Sequence, residues 1–368
     1  MDHLRHTRHP LQNNDHQTQV TGVDRLLVQI DTGAMRPSSR VSPQSPSSPL
    51  PPVSVVELNG ARLAFQSFGG GSRTIILVAG GASSMDWWDD AFCELLAAGD
   101  EHSGRRRVIR YDFRDTGQSE TVKPGTATYT GRDLVDDLAA LAQYVLAEPD
   151  PDPDHDHDPA GPIHLVGLSM GGALVQRFAL LHPELIATIT LMSTTPIGDT
   201  TIWLPPPTAS IAASFTAEQP SIDPSDVAAV ADAAIDVERL YSGSIPVDED
   251  RIRRIATSAI SRTSSPASAN NHWMIADGPG RADVTSIVTP TLVIHGSEDP
   301  MFPLPHGEHL AELIPGARLV VVPGMGHQFP PPPAWPLVVD EILEHTAAVG
   351  GTGSAPSSGQ DVRASSEN

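Results

Sequence analysis

Residues 163–181 read IHLVGLSMGGALVQRFALL, an apolar strand pattern that runs straight into a helical one. Ile163–Val166 is short and apolar, as buried parallel strands are, and Met170–Leu181 has helical periodicity. The pattern G-x-S-x-G, centred on Ser169, lies between them. A serine on such a tight turn raises its hydroxyl above the sheet, and the next helix directs N–H groups at charge that forms there. We therefore predict that Ser169 is a nucleophile.

Short apolar runs alternate with helical patterns on both sides of this stretch. Such alternation predicts an α/β fold with a mostly parallel, eight-stranded sheet and helices on both faces. The turn Asn59-Gly60 predicts a hairpin, so an antiparallel edge leads into the sheet. The predicted strands are Val53–Leu58, Arg62–Ser67, Thr74–Val78, Val108–Asp112, Ile163–Val166, Thr188–Met192, Thr291–His295 and Leu319–Val322. The predicted helices are Asp86–Ala98, Gly131–Leu146, Met170–Leu181, Pro305–Leu313 and Trp335–His345.

An insertion interrupts this alternation late in the chain. The predicted core comprises residues 53–196 and 286–347, and residues 197–285 separate one strand from the next. Helical patterns at Ser225–Tyr241 and Asp248–Ser261 lie within the insertion. Because the insertion lies between two strands of one sheet, we predict a helical lid and not an independent domain.

The two ends of the chain and one internal loop have compositions that oppose folding. Residues 1–52 and 348–368 are polar and rich in Ser, Pro or Gly, so we predict that both are disordered tails. Residues 149–159 contain only Pro, Asp and His. Proline blocks regular structure and aspartates repel one another, so this segment is predicted to be a solvated surface loop.

Composition excludes several classes of partner. The net charge of −22 argues against nucleic acid and against anionic membranes, which both require clustered basic residues. No run approaches the roughly 20 apolar residues of a membrane helix, and the amino-terminal residues lack the apolar segment of a signal peptide. Cys93 is the single cysteine, so no intramolecular disulfide can form. We expect a cytoplasmic protein with Cys93 buried.

A serine hydroxyl needs a base, and on this kind of scaffold the chain order is serine, acid, histidine. His327 closes the motif PGMGH just after the last predicted strand. Asp299 stands in HGSEDP, a short turn beyond a strand end, where a carboxylate can hold the imidazole tautomer. Glu298 is the neighbouring rival for this role. His295 ends a buried strand and is predicted to be a packed core residue.

A developing oxyanion also needs N–H donors. The Met170 N–H is one candidate, and the loop Ala79-Gly80-Gly81-Ala82 offers a second, for which we choose Gly81. An ordinary glycine turn is the alternative for that loop. Trp87 follows this loop, and Trp203 and Trp273 lie in the insertion. We predict that these three tryptophans line a substrate pocket; the alternative is that they only pack against neighbouring side chains.

Several segments together resemble a known family: Gly80-Gly81, the stretch RYDFRDTGQS at 110–119, Gly167–Gly172, Gly296–Asp299 and Gly324–His327. They look like an α/β-hydrolase of the esterase/haloperoxidase-like branch, most similar to the aclacinomycin methylesterases. Asp115, where many relatives carry glycine, supports that subgroup. The similarity runs from about residue 53 to 347 and fades through the lid.

The resemblance implies a methyl-ester hydrolase that acts on a small, bulky hydrophobic molecule. It implies Ser169, Asp299 and His327 as the triad, with Gly81 and Met170 forming the oxyanion hole and no metal or organic cofactor. It also favours Asp299 over Glu298.

Other activities keep the same triad. Carbon–carbon bond hydrolase, peptidase and perhydrolase remain alternatives, as does a non-catalytic small-molecule receptor on a hydrolase scaffold. Haloalkane dehalogenases and typical epoxide hydrolases carry aspartate at the position of Ser169, which disfavours both. The stretch 110–119 is predicted to be structural, with Asp112 and Arg114 as internal partners.

Overall fold

The computed structural model describes most of the predicted core and insertion, namely residues 50–100, 104–148, 161–198, 202–218, 222–276 and 282–348. The predicted tails, apart from residues 50–52 and 348, lie outside the described residues. The predicted loop at 149–159 lies outside them as well.

One sheet forms the centre of the described part, with strand order β1-β2-β4-β3-β5-β6-β7-β8. β1 pairs with β2, and β2 with β4, in antiparallel fashion, whereas every pair from β4 to β8 is parallel. The predicted eight-stranded, mostly parallel sheet is thereby confirmed, and each predicted strand end falls within about two residues of the observed one. The strands are β1 (Ser54–Leu58), β2 (Ala61–Gly69), β3 (Arg73–Val78), β4 (Arg106–Tyr111), β5 (Ile163–Leu168), β6 (Ile186–Met192), β7 (Thr291–Gly296) and β8 (Arg318–Val322).

Helices cover both faces of this sheet. The connection from β3 to β4 moves towards one edge, and that from β5 to β6 moves towards the other. Since crossovers between parallel strands are right-handed, their helices α1 and α3 lie on opposite faces. α8 packs on α1, and α2 packs on α3. The helices are α1 (Asp90–Ala98), α2 (Gly131–Ala147), α3 (Met170–Leu181), α4 (Ala209–Ser214), α5 (Val227–Tyr241), α6 (Glu249–Arg262), α7 (Pro305–Leu313) and α8 (Trp335–Ala347).

Three strands of the sheet are buried along their whole length. Every residue of β4, β5 and β7 is buried, which accounts for the near-continuous apolar runs in the sequence. Cys93 of α1 is fully buried too, as predicted, and burial raises the pKa of its thiol to about 12. No described helix has both the length and the apolar character needed to span a membrane.

The insertion between β6 and β7 is joined to the core by buried ion pairs. Arg262, at the end of α6, binds Asp86 at 2.6 Å and Asp112 at 2.9 Å. Burial works against ionisation of Asp86, yet the hydrogen bonds and charge of Arg262 hold its pKa below the ordinary value. The expected pairing of Asp112 with Arg114 is wrong, because Arg114 binds Asp137 at 2.6 Å instead. Asp112 therefore links the core to the insertion.

Loss of Arg262 should destabilise the protein strongly. Arg262→Gln leaves two buried carboxylates without their cation, so we expect the free energy of unfolding to fall by about 3–5 kcal/mol. The matched control is Arg253→Gln on the same helix, since Arg253 is 44% exposed and pairs with Asp232 at the surface. That variant should lose less than about 1 kcal/mol. Urea unfolding measures the free energy of unfolding of both variants. Equal losses would contradict the view that the buried ion pairs of Arg262 stabilise the contact between insertion and core.

Candidate active site

Ser169 lies on a strained turn between β5 and α3. Its backbone has φ of +53° and ψ of −116°, a conformation that residues with a Cβ rarely adopt. Two hydrogen bonds hold it there: the Ser169 N–H donates to Met192 O at 2.9 Å, and Thr194 Oγ donates to Ser169 O at 2.9 Å. Strain of this kind persists only where the surroundings fix it, and it is common at functional sites. The turn places Ser169 just beyond the carboxyl end of β5 and just before α3.

The glycines around Ser169 are required by close backbone contacts. A Cβ on Gly171 would lie 2.3 Å from Ala79 O, and one on Gly167 would lie 2.5 Å from Gly171 O. Real Cβ atoms do not approach so closely, so neither position accepts a side chain without a backbone shift. The spacing G-x-S-x-G follows from this crossing of β3, β5 and α3.

His327 and Asp299 complete a hydrogen-bonded chain with Ser169. His327 Nε2 is 2.9 Å from Ser169 Oγ, and His327 Nδ1 is 2.9 Å from Asp299 Oδ2. A carboxylate can only accept, so Nδ1 carries the proton and Nε2 is free to accept the serine hydroxyl. The structure thus brings together the three residues that the sequence predicted as a triad.

The Asp299 carboxylate is held in its charged form. Its Oδ1 accepts the N–H groups of Met301 at 2.9 Å and Phe302 at 2.8 Å. Burial opposes ionisation, but the hydrogen bond and charge of His327, with the backbone donors, hold the pKa of Asp299 below its ordinary value. The charged carboxylate keeps the proton of His327 on Nδ1 and leaves Nε2 facing the Ser169 hydroxyl.

Glu298 and His295, the two residues close to Asp299 in the sequence, make hydrogen bonds of their own outside the chain from Ser169 to Asp299. Glu298 accepts hydrogen bonds from the Ser244 N–H at 2.7 Å and the Ser244 hydroxyl at 2.9 Å. His295 is fully buried, as predicted, and its Nε2 donates to Phe302 O at 2.7 Å. Burial lowers the pKa of His295. Glu298 is therefore engaged with the insertion, and Asp299 alone of the two carboxylates meets His327.

The loop that carries His327 rests on the insertion. The His327 N–H donates to Tyr241 O, the last residue of α5, at 2.7 Å. The rings of Tyr241 and Phe302 lie 5.9 and 5.3 Å from the imidazole. Tyr241 carries no recognisable signal in the sequence, because a contact between residues so far apart in the chain leaves no local pattern.

The two predicted oxyanion-hole residues are neighbours. Met170 is the first residue of α3, where backbone N–H groups have no partner within the helix. A Cβ on Gly81 would lie 3.4 Å from Met170 Sδ, and one on Gly80 would lie 3.8 Å from Ser169 Cβ. The loop after β3 therefore lies directly beside Ser169, where its amides can meet a developing oxyanion.

The three predicted pocket tryptophans have different surroundings. Trp273 lies over Gly81, with a ring carbon 2.7 Å from where a Cβ on Gly81 would be, and it is 66% exposed. Trp87 stacks on Phe329 at 5.9 Å between ring centroids. Trp203 is 79% exposed, and its place in a pocket stays a prediction. Within the described ranges, no group of three or more His, Cys, Asp or Glu residues is placed to hold a metal ion.

A family model described as the alpha/beta hydrolase fold matches residues 73–330. The chain belongs to the α/β-hydrolase family. It is 32% identical over 292 residues to rhodomycin D methylesterase DauP of Streptomyces sp. (strain C5), covering 74% of this chain and 91% of that protein. It is 31% identical over 291 residues to rhodomycin D methylesterase DnrP of Streptomyces peucetius, with the same coverage. This α/β-hydrolase thus resembles methylesterases along most of its length.

Solved structures of this family share the fold. A thermophilic esterase from Thermogutta terrifontis matches with a TM-score of 0.54 and 25% identity, covering 81% of this chain and 99% of that one. A meta-cleavage product hydrolase from Pseudomonas fluorescens IP01 matches with a TM-score of 0.57 and 19% identity, covering 79% and 96%. At that identity the second likeness concerns the fold alone.

The depressed pKa of Asp299 predicts a specific pH dependence of stability. A group with a lowered folded pKa stabilises the protein above its unfolded pKa of about 4 and loses that contribution as the pH falls below it. We therefore expect wild type to be more stable than Asp299→Asn at pH 7, and the difference to shrink below about pH 4. Urea unfolding of both proteins at pH 7 and pH 3 measures this. A difference that grows on acidification would contradict a charged Asp299.

Proposed function

We propose that this α/β-hydrolase is a serine ester hydrolase with Ser169, His327 and Asp299 as its catalytic triad. The observation that carries the proposal is the continuous hydrogen-bonded chain from Ser169 Oγ through the imidazole to Asp299, with both contacts at 2.9 Å. The likeness to two rhodomycin D methylesterases over most of the chain supports the same activity.

The first half of the reaction transfers the acyl group to the enzyme. As Ser169 Oγ attacks the ester carbonyl, His327 Nε2 takes the hydroxyl proton. Asp299 keeps its hydrogen bond to Nδ1 and stabilises the imidazolium. The oxyanion of the tetrahedral intermediate accepts the N–H groups of Gly81 and Met170. When the C–O bond breaks, His327 returns the proton to the leaving alcohol, and the acyl group stays on Ser169.

The second half releases the acid. A water molecule takes the place of the alcohol, and His327 Nε2 removes its proton as the oxygen attacks the acyl-enzyme. The second tetrahedral intermediate uses the same two N–H donors. Its collapse restores the Ser169 hydroxyl and gives a carboxylic acid. Every proton is moved by His327, so the proposed reaction needs no metal or organic cofactor.

The proposed substrate is the methyl ester of a small, bulky hydrophobic acid. Trp273 lies over Gly81 and is 66% exposed, so its apolar surface is open to a ligand beside the proposed oxyanion hole. Large exposed apolar side chains next to a polar site are typical of ligand pockets. The names of the two methylesterase relatives support a methyl ester. A cytoplasmic location fits the single, buried cysteine.

Ester hydrolysis is favoured over the other triad activities. The likeness to a proline iminopeptidase of Pestalotiopsis fici extends over only 39% of this chain, whereas the methylesterases match 74% of it. The structural likeness to the meta-cleavage product hydrolase is at 19% identity and concerns the fold alone. A binding-only receptor does not require the short contacts that join Ser169, His327 and Asp299.

The two adjacent carboxylates provide a matched test of the triad. Asp299→Asn replaces the acceptor with an amide and favours the wrong imidazole tautomer, so kcat for a methyl ester should fall by about 10⁴-fold. Glu298→Gln makes the same chemical change one residue away, at a side chain that binds Ser244, and should leave kcat nearly unchanged. Steady-state kinetics on both purified variants decide it. Equal losses would contradict the assignment of Asp299.

Trp273→Ala should change substrate preference. The variant removes an aromatic surface beside Gly81, so kcat/KM should fall for esters of large aromatic acids far more than for p-nitrophenyl acetate. One stacking contact and its buried area are worth about 1–2 kcal/mol, so the two losses should differ by about tenfold. Parallel kinetics on a large and a small ester measure the ratio. Equal losses on both substrates would place Trp273 outside the pocket.

A further inference from the structure

One short helix of the insertion, Pro266–Trp273, is bound to the core just beside the oxyanion loop. Ser268 Oγ donates to Val122 O at 2.7 Å. Asn271 is fully buried, and its Nδ2 donates to Asp115 Oδ2 at 2.9 Å. These contacts fix a segment that the sequence alone did not identify as regular structure. Its last two residues, His272 and Trp273, then meet the loop that carries Gly81.

His272 forms two hydrogen bonds that determine its tautomer. The Ala82 N–H donates to His272 Nδ1 at 3.0 Å, and His272 Nε2 lies 2.8 Å from Arg114 O. A backbone N–H can only donate and a carbonyl can only accept, so Nδ1 is bare and Nε2 carries the proton. The ring packs edge-on against Phe113 at 5.7 Å between centroids. The imidazole is therefore neutral and bridges two core loops.

Burial supports the neutral form. His272 is 5% exposed, and desolvation lowers its pKa. The Arg114 carbonyl and the charge of Asp115 act in the opposite direction but do not outweigh it. Protonation at Nδ1 would place an N–H of His272 opposite the N–H of Ala82, so the hydrogen bond between them would be lost.

Ala82 needs such an anchor. Its φ is +58°, in the left-handed region that is costly for any residue with a Cβ. A conformation of this kind persists only when neighbouring groups fix it. Ala82 directly follows Gly81, so the bond from its N–H to His272 fixes the peptide plane between the two residues. The Gly81 N–H belongs to the preceding peptide, whose Gly80 carbonyl accepts the Ser83 N–H at 3.3 Å, so a fixed Ala82 holds the turn from Gly80 to Ser83 that carries the Gly81 N–H.

We propose that His272 is a positioning residue for the proposed oxyanion hole. From the insertion it holds Ala82, and with Ala82 the turn from Gly80 to Ser83 that carries the Gly81 N–H. The inference rests on the proposed ester hydrolysis. Trp273, the next residue, covers Gly81. The same short helix thus supplies a wall of the proposed pocket and the support for the proposed oxyanion donor.

Two conservative variants separate the two hydrogen bonds of His272. His272→Asn keeps an acceptor near the Nδ1 position, facing Ala82. His272→Gln keeps a donor near the Nε2 position, facing Arg114, and removes the acceptor. Complete loss of an oxyanion donor costs about 10²–10³-fold in kcat, so a misplaced donor should cost about 10- to 100-fold. We expect that fall in kcat for the Gln variant with KM little changed, and a much smaller fall for Asn.

Amide hydrogen exchange gives a readout that does not depend on turnover. The Ala82 amide should exchange slowly in wild type and in His272→Asn, and faster in His272→Gln. His164→Asn is the control, because His164 is also a buried imidazole but is the second residue of β5 and binds Thr188 at 2.8 Å. It should change neither kcat nor exchange at Ala82.

The outcomes distinguish this inference from the proposed function. Wild-type kcat in His272→Gln, or equal losses for Asn and Gln, would overturn the positioning role while ester hydrolysis stands. If wild type cleaved no ester, the proposed function would fail, and the exchange rate of Ala82 would still decide whether His272 holds the loop. Unchanged exchange in the Gln variant would overturn the inference in either case.

Discussion

The site depends on the close crossing of β3 and the first turn of α3. At Gly171 the two backbones approach so closely that a single added Cβ would lie 2.3 Å from Ala79 O and 2.4 Å from Val78 O. This contact brings the loop after β3 beside Ser169 and the start of α3, where a Cβ on Gly81 would lie 3.4 Å from Met170 Sδ. A looser crossing would leave the nucleophile and the proposed oxyanion donors too far apart to act on one carbonyl.

The insertion holds the core loops that surround this crossing. Tyr241 accepts the backbone N–H of His327, and His272 accepts that of Ala82. Arg262 binds Asp112, whose Oδ1 also accepts the Met85 N–H. The loop that carries His327, the loop that carries Gly81 and Ala82, and the segment at Met85 are therefore each tied to a different part of the insertion. Movement of the insertion would disturb the proposed catalytic groups as well as the pocket.

Much of this architecture follows from local sequence patterns. The strands of the core are short apolar runs, and Met170–Leu181 and Pro305–Leu313 were predicted with the same bounds as observed. Ser169, Asp299 and His327 each stand just beyond the end of a strand, at one edge of the sheet. Since that edge is where parallel strands present their loops, their meeting could be expected before the structure.

The remaining features depend on contacts between distant residues. Asp112 was expected to pair with Arg114, two residues away, yet it binds Arg262, 150 residues along the chain. The helix Pro266–Trp273 has no apolar periodicity, because polar side chains such as Ser268 and Asn271 make its buried contacts. Hydrophobic patterning cannot identify such a segment. His272 was missed for the same reason.

The most direct measurement is covalent labelling of the wild-type protein with a fluorophosphonate, followed by peptide mass spectrometry. We expect a single stoichiometric adduct on Ser169 and no adduct in Ser169→Ala. Labelling of His327→Ala should be slower by orders of magnitude, because the hydroxyl then has no base. Labelling at another residue, or an unchanged rate without His327, would contradict the claim that His327 activates Ser169.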